Sequence, residues 1–129
     1  MRVFIVDDSS VIVERLTLLL EDIPGVELVG HAADVPHAVQ RLLETPPDAL
    51  VLDLHMPGGT GLDVLRAIRP VRPDIHVLVF TNYPQDEYRQ ECLTAGAEYF
   101  LDKSREFEKI PSILRELAQK DGKVSQAAR

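Results

Sequence analysis

The chain has 129 residues, of which 45% are hydrophobic and 27% charged, a balance typical of one globular domain rather than of a disordered segment. The formal net charge of −7 argues against nucleic-acid binding by this chain, because neutralising phosphates requires a basic surface. Cys92 is the sole cysteine, which excludes an internal disulfide, and no apolar run approaches the roughly 20 residues of a membrane span, so we expect a soluble cytoplasmic protein.

Five apolar strands alternate with five amphipathic helical stretches along the chain. This alternation predicts an α/β fold with a parallel sheet covered by helices on both faces. The predicted strands are Arg2–Val6, Val26–Gly30, Ala49–Leu52, Ile75–Phe80 and Tyr99–Asp102.

The first two helices are delimited by capping and breaking residues. We expect the first over Ser9–Ile23, ended by Pro24, and the second to begin at an Asp34 cap and end before Pro46. Apolar spacing predicts their buried positions as Ile12, Leu16, Leu19 and Ile23 in the first and Val39, Leu42 and Leu43 in the second.

The last three helices follow the same logic. The third should begin near Gly61 and end before Pro70. Pro84 suits the first turn of the fourth, and Gly96 suits its C-cap. Pro111 suits the N1 position of the fifth, after an irregular segment over 104–109, and the inner face of that helix holds Ile110, Ile113, Leu114 and Leu117. From Lys120 the chain is polar without periodicity, which predicts a frayed tail or the stump of a linker.

Polar side chains follow four of the predicted strands. Asp7 and Asp8 follow the first, Asp53 the third, Thr81 ends the fourth and Lys103 follows the fifth. An open α/β sheet places its chemistry at the carboxyl ends of its strands, so these groups should converge on one edge. Such a set suits one divalent cation and one phosphoryl group.

With these residues in place, the chain resembles a receiver domain of two-component response regulators. The motifs are the pair Asp7-Asp8, Asp53 followed by Pro57 and Gly61, Thr81, Gly96-Ala97 and Lys103. The resemblance covers about Arg2–Gln119. It implies a (βα)5 flavodoxin-like fold with strand order 2-1-3-4-5, a receiver domain over residues 1–119, and a tail or linker stump over 120–129.

The resemblance also implies the roles of the site residues. Asp53 would accept a phosphoryl group from a sensor histidine kinase or a histidine phosphotransfer protein, in a reaction that requires Mg²⁺. Asp8, Asp53 and the backbone carbonyl of His55 would bind the metal directly, and Asp7 through a metal-bound water. Such a domain catalyses only its own phosphorylation and slow dephosphorylation, so we do not expect an enzyme. The simpler alternative for Asp7 and Asp8 is that they cap the first helix.

A conformational switch is implied as well. Phe100 stands where the family carries its switch aromatic, and it would rotate from an exposed to a buried position when phosphoryl oxygens draw the Thr81 hydroxyl inward. The surface of the fourth helix, fifth strand and fifth helix would then change its affinity for a downstream protein, an output domain or a second copy of the chain.

Two positions, Asn82 and Ser104, depart from the family pattern, and two others, His55 and Tyr83, would be aromatic neighbours of the pocket. Asn82 stands where a small residue is usual, and His55 with Tyr83 would flank the mouth of the pocket and could shield the acyl phosphate. Ser104 replaces the proline that commonly follows the lysine. The cis peptide that this proline favours should therefore not be assumed, since a cis bond without proline costs about 2.5–4 kcal/mol, and the sequence leaves the isomer of the Lys103–Ser104 bond open.

Several readings remain open at this point. The chain could be a stand-alone receiver or the N-terminal receiver of a transcription factor. A Mg²⁺-dependent phosphatase of the haloacid-dehalogenase type would carry a second aspartate at position 55, where this chain has His55. A flavin-binding flavodoxin would need a hydroxyl- or glycine-rich phosphate loop after the first strand, which the sequence lacks.

Overall fold

Five strands form one parallel sheet in the computed structural model, which describes the backbone of residues 1–127 and the side chains of residues 1–120. The strands are β1 (Arg2–Val6), β2 (Glu27–Ala32), β3 (Ala49–Leu52), β4 (His76–Thr81) and β5 (Tyr99–Asp102). The predicted strand order is confirmed as β2-β1-β3-β4-β5. β3 and β4 are almost entirely buried, as their continuous apolar sequences require for strands covered on both faces.

Five helices cover this sheet on both faces. They are α1 (Ser10–Glu21), α2 (Val35–Glu44), α3 (Gly61–Ile68), α4 (Asp86–Thr94) and α5 (Lys109–Ala127). One buried cluster joins α1 and α5 to the sheet, and a second joins α2, α3 and α4 to its other face. Within the described chain, none of these helices combines the length and apolarity needed to cross a membrane.

The predicted helix ends are partly confirmed. Asp34 caps α2 by accepting a hydrogen bond from the His37 amide, and Gly96 follows the last residues of α4 with a φ of 109° that favours glycine. Two proline predictions are wrong. Pro84 precedes the N-cap of α4 and so lies outside its first turn, and Pro111 is the third residue of α5 instead of its first.

Two buried positions were also predicted wrongly. In α1 the residue that packs on the sheet with Leu16 is Leu20, and Leu19 is only partly buried. In α2 Leu42 is buried, whereas Leu43 is 40% exposed. Adjacent helical residues point about 100° apart, so only one of each leucine pair can face the sheet.

The final helix extends beyond the predicted start of the tail. α5 continues through Lys120 to Ala127, and residues 128–129 lie outside the described part of the chain. The division between a receiver over 1–119 and a tail or linker over 120–129 stays a prediction.

Candidate functional site

The carboxyl ends of four strands bring the predicted site residues to one edge of the sheet. Val6 of β1 pairs with Leu52 of β3, so the residues that follow them, Asp7 and Asp53, leave the sheet side by side. The Asp53 amide donates to the Val6 carbonyl at 2.8 Å, which extends this pairing beyond the strands. The Lys103 amide likewise donates to the Thr81 carbonyl at 2.8 Å, and this bond sets Lys103 beside the end of β4.

Three carboxylates and one ammonium group form the charged centre of this edge. Asp7, Asp8 and Asp53 can each offer an oxygen within 4.8 Å of the others. The Lys103 Nζ lies 2.7 Å from Asp7 Oδ2 and 3.3 Å from Asp53 Oδ1, and its side chain is only 7% exposed. One lysine therefore faces three acids, and the centre carries excess negative charge.

Burial and this charge imbalance together shift the pKa of Asp53. The side chain is 5% exposed, and burial, followed by repulsion from Asp7, raises the pKa of Asp53 from 3.8 to about 6. The Lys103 ammonium opposes the rise without cancelling it. A further cation would relieve the remaining repulsion.

The donor chemistry fits a hard divalent cation. Carboxylate oxygens are the preferred protein ligands of Mg²⁺, which also retains several waters. Asp8 is exposed while Asp7 and Asp53 are buried, so the cluster opens toward solvent on the Asp8 side. Asp8 and Asp53, which the resemblance implies as direct ligands, and Asp7, which it implies to act through a metal-bound water, are thus brought together.

Thr81 ends β4 next to Lys103 and is fully buried. Its Oγ1 accepts a hydrogen bond from the Tyr83 amide at 2.9 Å. A hydroxyl group can accept one hydrogen bond and donate another at the same time, so the Thr81 hydroxyl can still donate a hydrogen bond to a ligand.

An aromatic group flanks the site on the side of α4. The His55 ring lies 4.0 Å from the Tyr83 ring, centroid to centroid, and 5.7 Å edge-on from the Tyr88 ring. His55 and Tyr83 were both expected at the mouth of the pocket, and they contact each other directly. The His55 Nδ1 is buried without a hydrogen-bond partner among the described residues. Tyr88 was not anticipated, because its contact with His55 depends on where α4 packs.

Phe100 is buried in the core. It is 4% exposed and belongs to the core cluster under α2, α3 and α4. The Arg89 guanidinium of α4 lies 5.2 Å from the centre of its ring, and Nη2 of the same residue donates to the Phe100 carbonyl at 3.5 Å. Arg89 was not anticipated from the sequence, and it contacts Phe100 from the α4 side.

The ends of β1 and β5 decide two alternatives that the sequence leaves open. The cap of α1 is Ser9, whose Oγ accepts from the Ile12 amide at 3.3 Å, so the alternative that Asp7 and Asp8 cap this helix is wrong. Asp7 instead accepts from the Ser9 amide at 2.8 Å, which fixes its carboxylate in the site. No cis peptide bond occurs in residues 1–127, so the Lys103–Ser104 bond is trans.

Comparisons with known proteins agree with this geometry. The profile of the response regulator receiver domain matches residues 3–115. The chain is 35% identical over 102 residues to the DNA-binding transcriptional activator DevR/DosR of Mycobacterium tuberculosis, covering 79% of this chain and 47% of that protein.

Solved structures show the same fold. A LuxR-family two-component response regulator from Aurantimonas sp. SI85-9A1 superposes with a TM-score of 0.84 at 29% identity, covering 92% of this chain and 85% of that one. The CheX–CheY–BeF3–Mg complex from Borrelia burgdorferi gives 0.82 at 26% identity, covering 91% and 88%.

The matches to curated relatives cover most of this chain but a smaller share of each relative. The chain spans about half the length of the curated relatives it matches first. The profile, by contrast, covers nearly all of the present chain. The chain belongs to the response regulator receiver domain family.

Proposed function

We propose that this receiver accepts a phosphoryl group on Asp53 from a histidine kinase or a histidine phosphotransfer protein, and that phosphorylation changes the surface formed by α4, β5 and α5. The observation that carries the proposal is the position of Asp53. Its buried carboxylate follows β3 and lies 3.3 Å from the Lys103 ammonium in a group of three acids.

The chemistry is a transfer between two nucleophiles. An Asp53 oxygen attacks the phosphorus of a phosphohistidine in line, a P–O bond forms, the P–N bond breaks, and the leaving imidazole regains a proton. The Lys103 ammonium already lies 3.3 Å from Asp53, so it can stabilise the negative charge on the phosphoryl oxygens during the transfer. The Thr81 hydroxyl can donate a hydrogen bond to a second phosphoryl oxygen. The protein is changed by each transfer, so the reaction is a signalling event and not turnover of a substrate.

A magnesium ion fits the acidic cluster. Asp8, Asp53 and the His55 carbonyl would hold it directly, and Asp7 through a water. When bound, it supplies positive charge that neutralises phosphoryl oxygens and lowers repulsion between the carboxylates. The related CheY structure from Borrelia burgdorferi contains BeF3 and Mg, which supports this assignment.

The proposed switch acts through Thr81 and Phe100. Phe100 lies in an inward position under Arg89, and phosphorylation would stabilise this position relative to an outward one. Moving an equilibrium from mostly outward to mostly inward needs on the order of 2–5 kcal/mol of differential binding, which a few charge-assisted hydrogen bonds can provide.

The output of the switch would lie outside this chain. We propose that the receiver acts in the cytoplasm, either alone on a downstream protein or as part of a longer regulator, with a homodimer through α4, β5 and α5 as one form of response. The relative DevR/DosR is a DNA-binding activator, and this chain matches 47% of it. Because the present chain has a net charge of −7, any contact with DNA would be made by a separate domain.

The acceptor assignment is tested with acetyl phosphate and Mg²⁺. Wild-type protein should gain the mass of one phosphoryl group, and Asp53→Asn should gain none. Asp22→Asn makes the same chemical change at an exposed aspartate and should behave as wild type. Equal labelling of the Asp53 variant and wild type would contradict the assignment. Incubation with purified histidine kinases then identifies the donor.

A further inference from the structure

The loop between β5 and α5 is closed by a side-chain turn around Lys103. The Asp102 Oδ1 accepts from the Ser104 amide at 2.9 Å and from the Ser104 hydroxyl at 2.7 Å. The Asp102 carbonyl also accepts from the Arg105 amide at 3.2 Å and from the Glu106 amide at 2.7 Å. Lys103 lies between Asp102 and Ser104, the two residues that hydrogen-bond each other.

A second set of bonds ties this turn to the start of α5. The Glu106 Oε1 accepts from the Asp102 amide at 3.0 Å, and Oε2 accepts from the Lys109 Nζ at 2.7 Å. The hydrogen bond from Lys109 is the largest of several effects that lower the pKa of Glu106, and the bonds from Ser104 lower that of Asp102. Both carboxylates are therefore ionised at neutral pH and act only as acceptors.

The backbone of Lys103 has little freedom inside this arrangement. Its amide is bonded to the Thr81 carbonyl at 2.8 Å on one side, and the residues on both flanks are held by the Asp102 turn. A lysine side chain has several rotatable bonds, so reaching two carboxylates at 2.7 and 3.3 Å depends on a backbone that points it inward.

We propose that Asp102, Ser104 and Glu106 are positioning residues that aim the Lys103 ammonium at Asp53. The Ser104 hydroxyl completes the turn on a trans peptide bond, and Glu106 anchors the turn to α5. The inference deepens the proposed function and rests on it for its consequence in phosphoryl transfer.

The direct test observes the Lys103 ammonium by nitrogen-15 NMR in protein without phosphodonor. In wild type its protons should exchange slowly with water, because the group is buried and paired. Ser104→Ala should speed this exchange about tenfold, the effect of losing one hydrogen bond to a charged acceptor. Asp102→Ala removes both bonds that Oδ1 accepts and should speed the exchange at least as much. Ser104→Thr retains the hydroxyl and should restore the slow exchange. Glu108→Ala alters an exposed residue of the same loop and is the matched control.

The rate of phosphorylation by acetyl phosphate provides the second readout. It should fall by a similar factor in Ser104→Ala and recover in Ser104→Thr, with melting temperatures close to that of Glu108→Ala. An unchanged Lys103 signal in folded Ser104→Ala and Asp102→Ala would overturn the inference. If wild type is not phosphorylated but the variants still release Lys103, the positioning role stands and the proposed function fails. Should Asp102→Ala not fold, the milder Ser104→Ala decides.

Discussion

Replacing Asp53 by asparagine removes one negative charge from the acidic centre and preserves the shape of the side chain. Burial and Asp7 raise the pKa of Asp53 from 3.8 to about 6 in protein without metal. Each unit of difference between the folded and unfolded states corresponds to about 1.4 kcal/mol. The ionised carboxylate therefore destabilises the folded protein by on the order of 3 kcal/mol.

The sign of this effect depends on pH. Between 3.8 and about 6 the folded protein keeps a proton on Asp53 that the unfolded chain has lost, so the free energy of unfolding falls as pH rises through this window. Below it both states are protonated, and above it the full penalty applies. Asp53→Asn should thus exceed wild type in stability by about 2–3 kcal/mol near pH 8 and by little near pH 4.

Urea denaturation followed by circular dichroism, with a chelator present, measures this difference. Asp22→Asn serves as the control because it alters an exposed aspartate, and its difference from wild type should not follow the same pH profile. Adding Mg²⁺ should stabilise wild type more than Asp53→Asn, since a ligand that binds only the folded state adds to its stability. If Asp53→Asn and wild type were equally stable at both pH values, the electrostatic account of the site would be refuted.

Three further substitutions probe the switch and the frame of the site. Lys103→Ala should still accept phosphate slowly but lose the conformational response, and an unchanged response in amide NMR spectra would argue against the switch. Arg89→Ala removes the cation above the Phe100 ring and should favour outward positions of Phe100 by about 0.5–1 kcal/mol. Fluorine NMR of labelled Phe100 reports this shift, and Arg66→Ala, which breaks an exposed pair with α4 at 3.8 Å, should leave the signal in place. Gly61→Ala would press a methyl group against the Asp53 carbonyl and the Leu54 Cα, so we expect a loss of about 1–3 kcal/mol in stability and slower phosphorylation. If Gly61→Ala unfolded and was labelled in the same way as wild type, the close approach of Gly61 to the Asp53 carbonyl would not be needed.

The pattern of apolar and polar residues along the sequence predicted the strands and helices and their order. Apolar runs with polar ends predicted β1, β3 and β5 with the bounds that the structure gives them. Strand ends in a parallel sheet meet at one edge, so Asp7, Asp53 and Lys103 could be grouped although they lie far apart in the chain. The resemblance to receivers then supplied their roles, which stay proposals.

Tertiary packing decided what periodicity leaves open. A helical stripe can include Leu19 or Leu20, and only the position of α1 on the sheet buries Leu20. The contacts of Arg89 with Phe100 and of Tyr88 with His55 join residues from different elements, so no local pattern in α4 predicts them. The pKa of Asp53 is likewise a property of the assembled site, because burial and charges brought from other strands set it. Sequence fixes which groups are available, whereas their free energies depend on distances that exist only after folding.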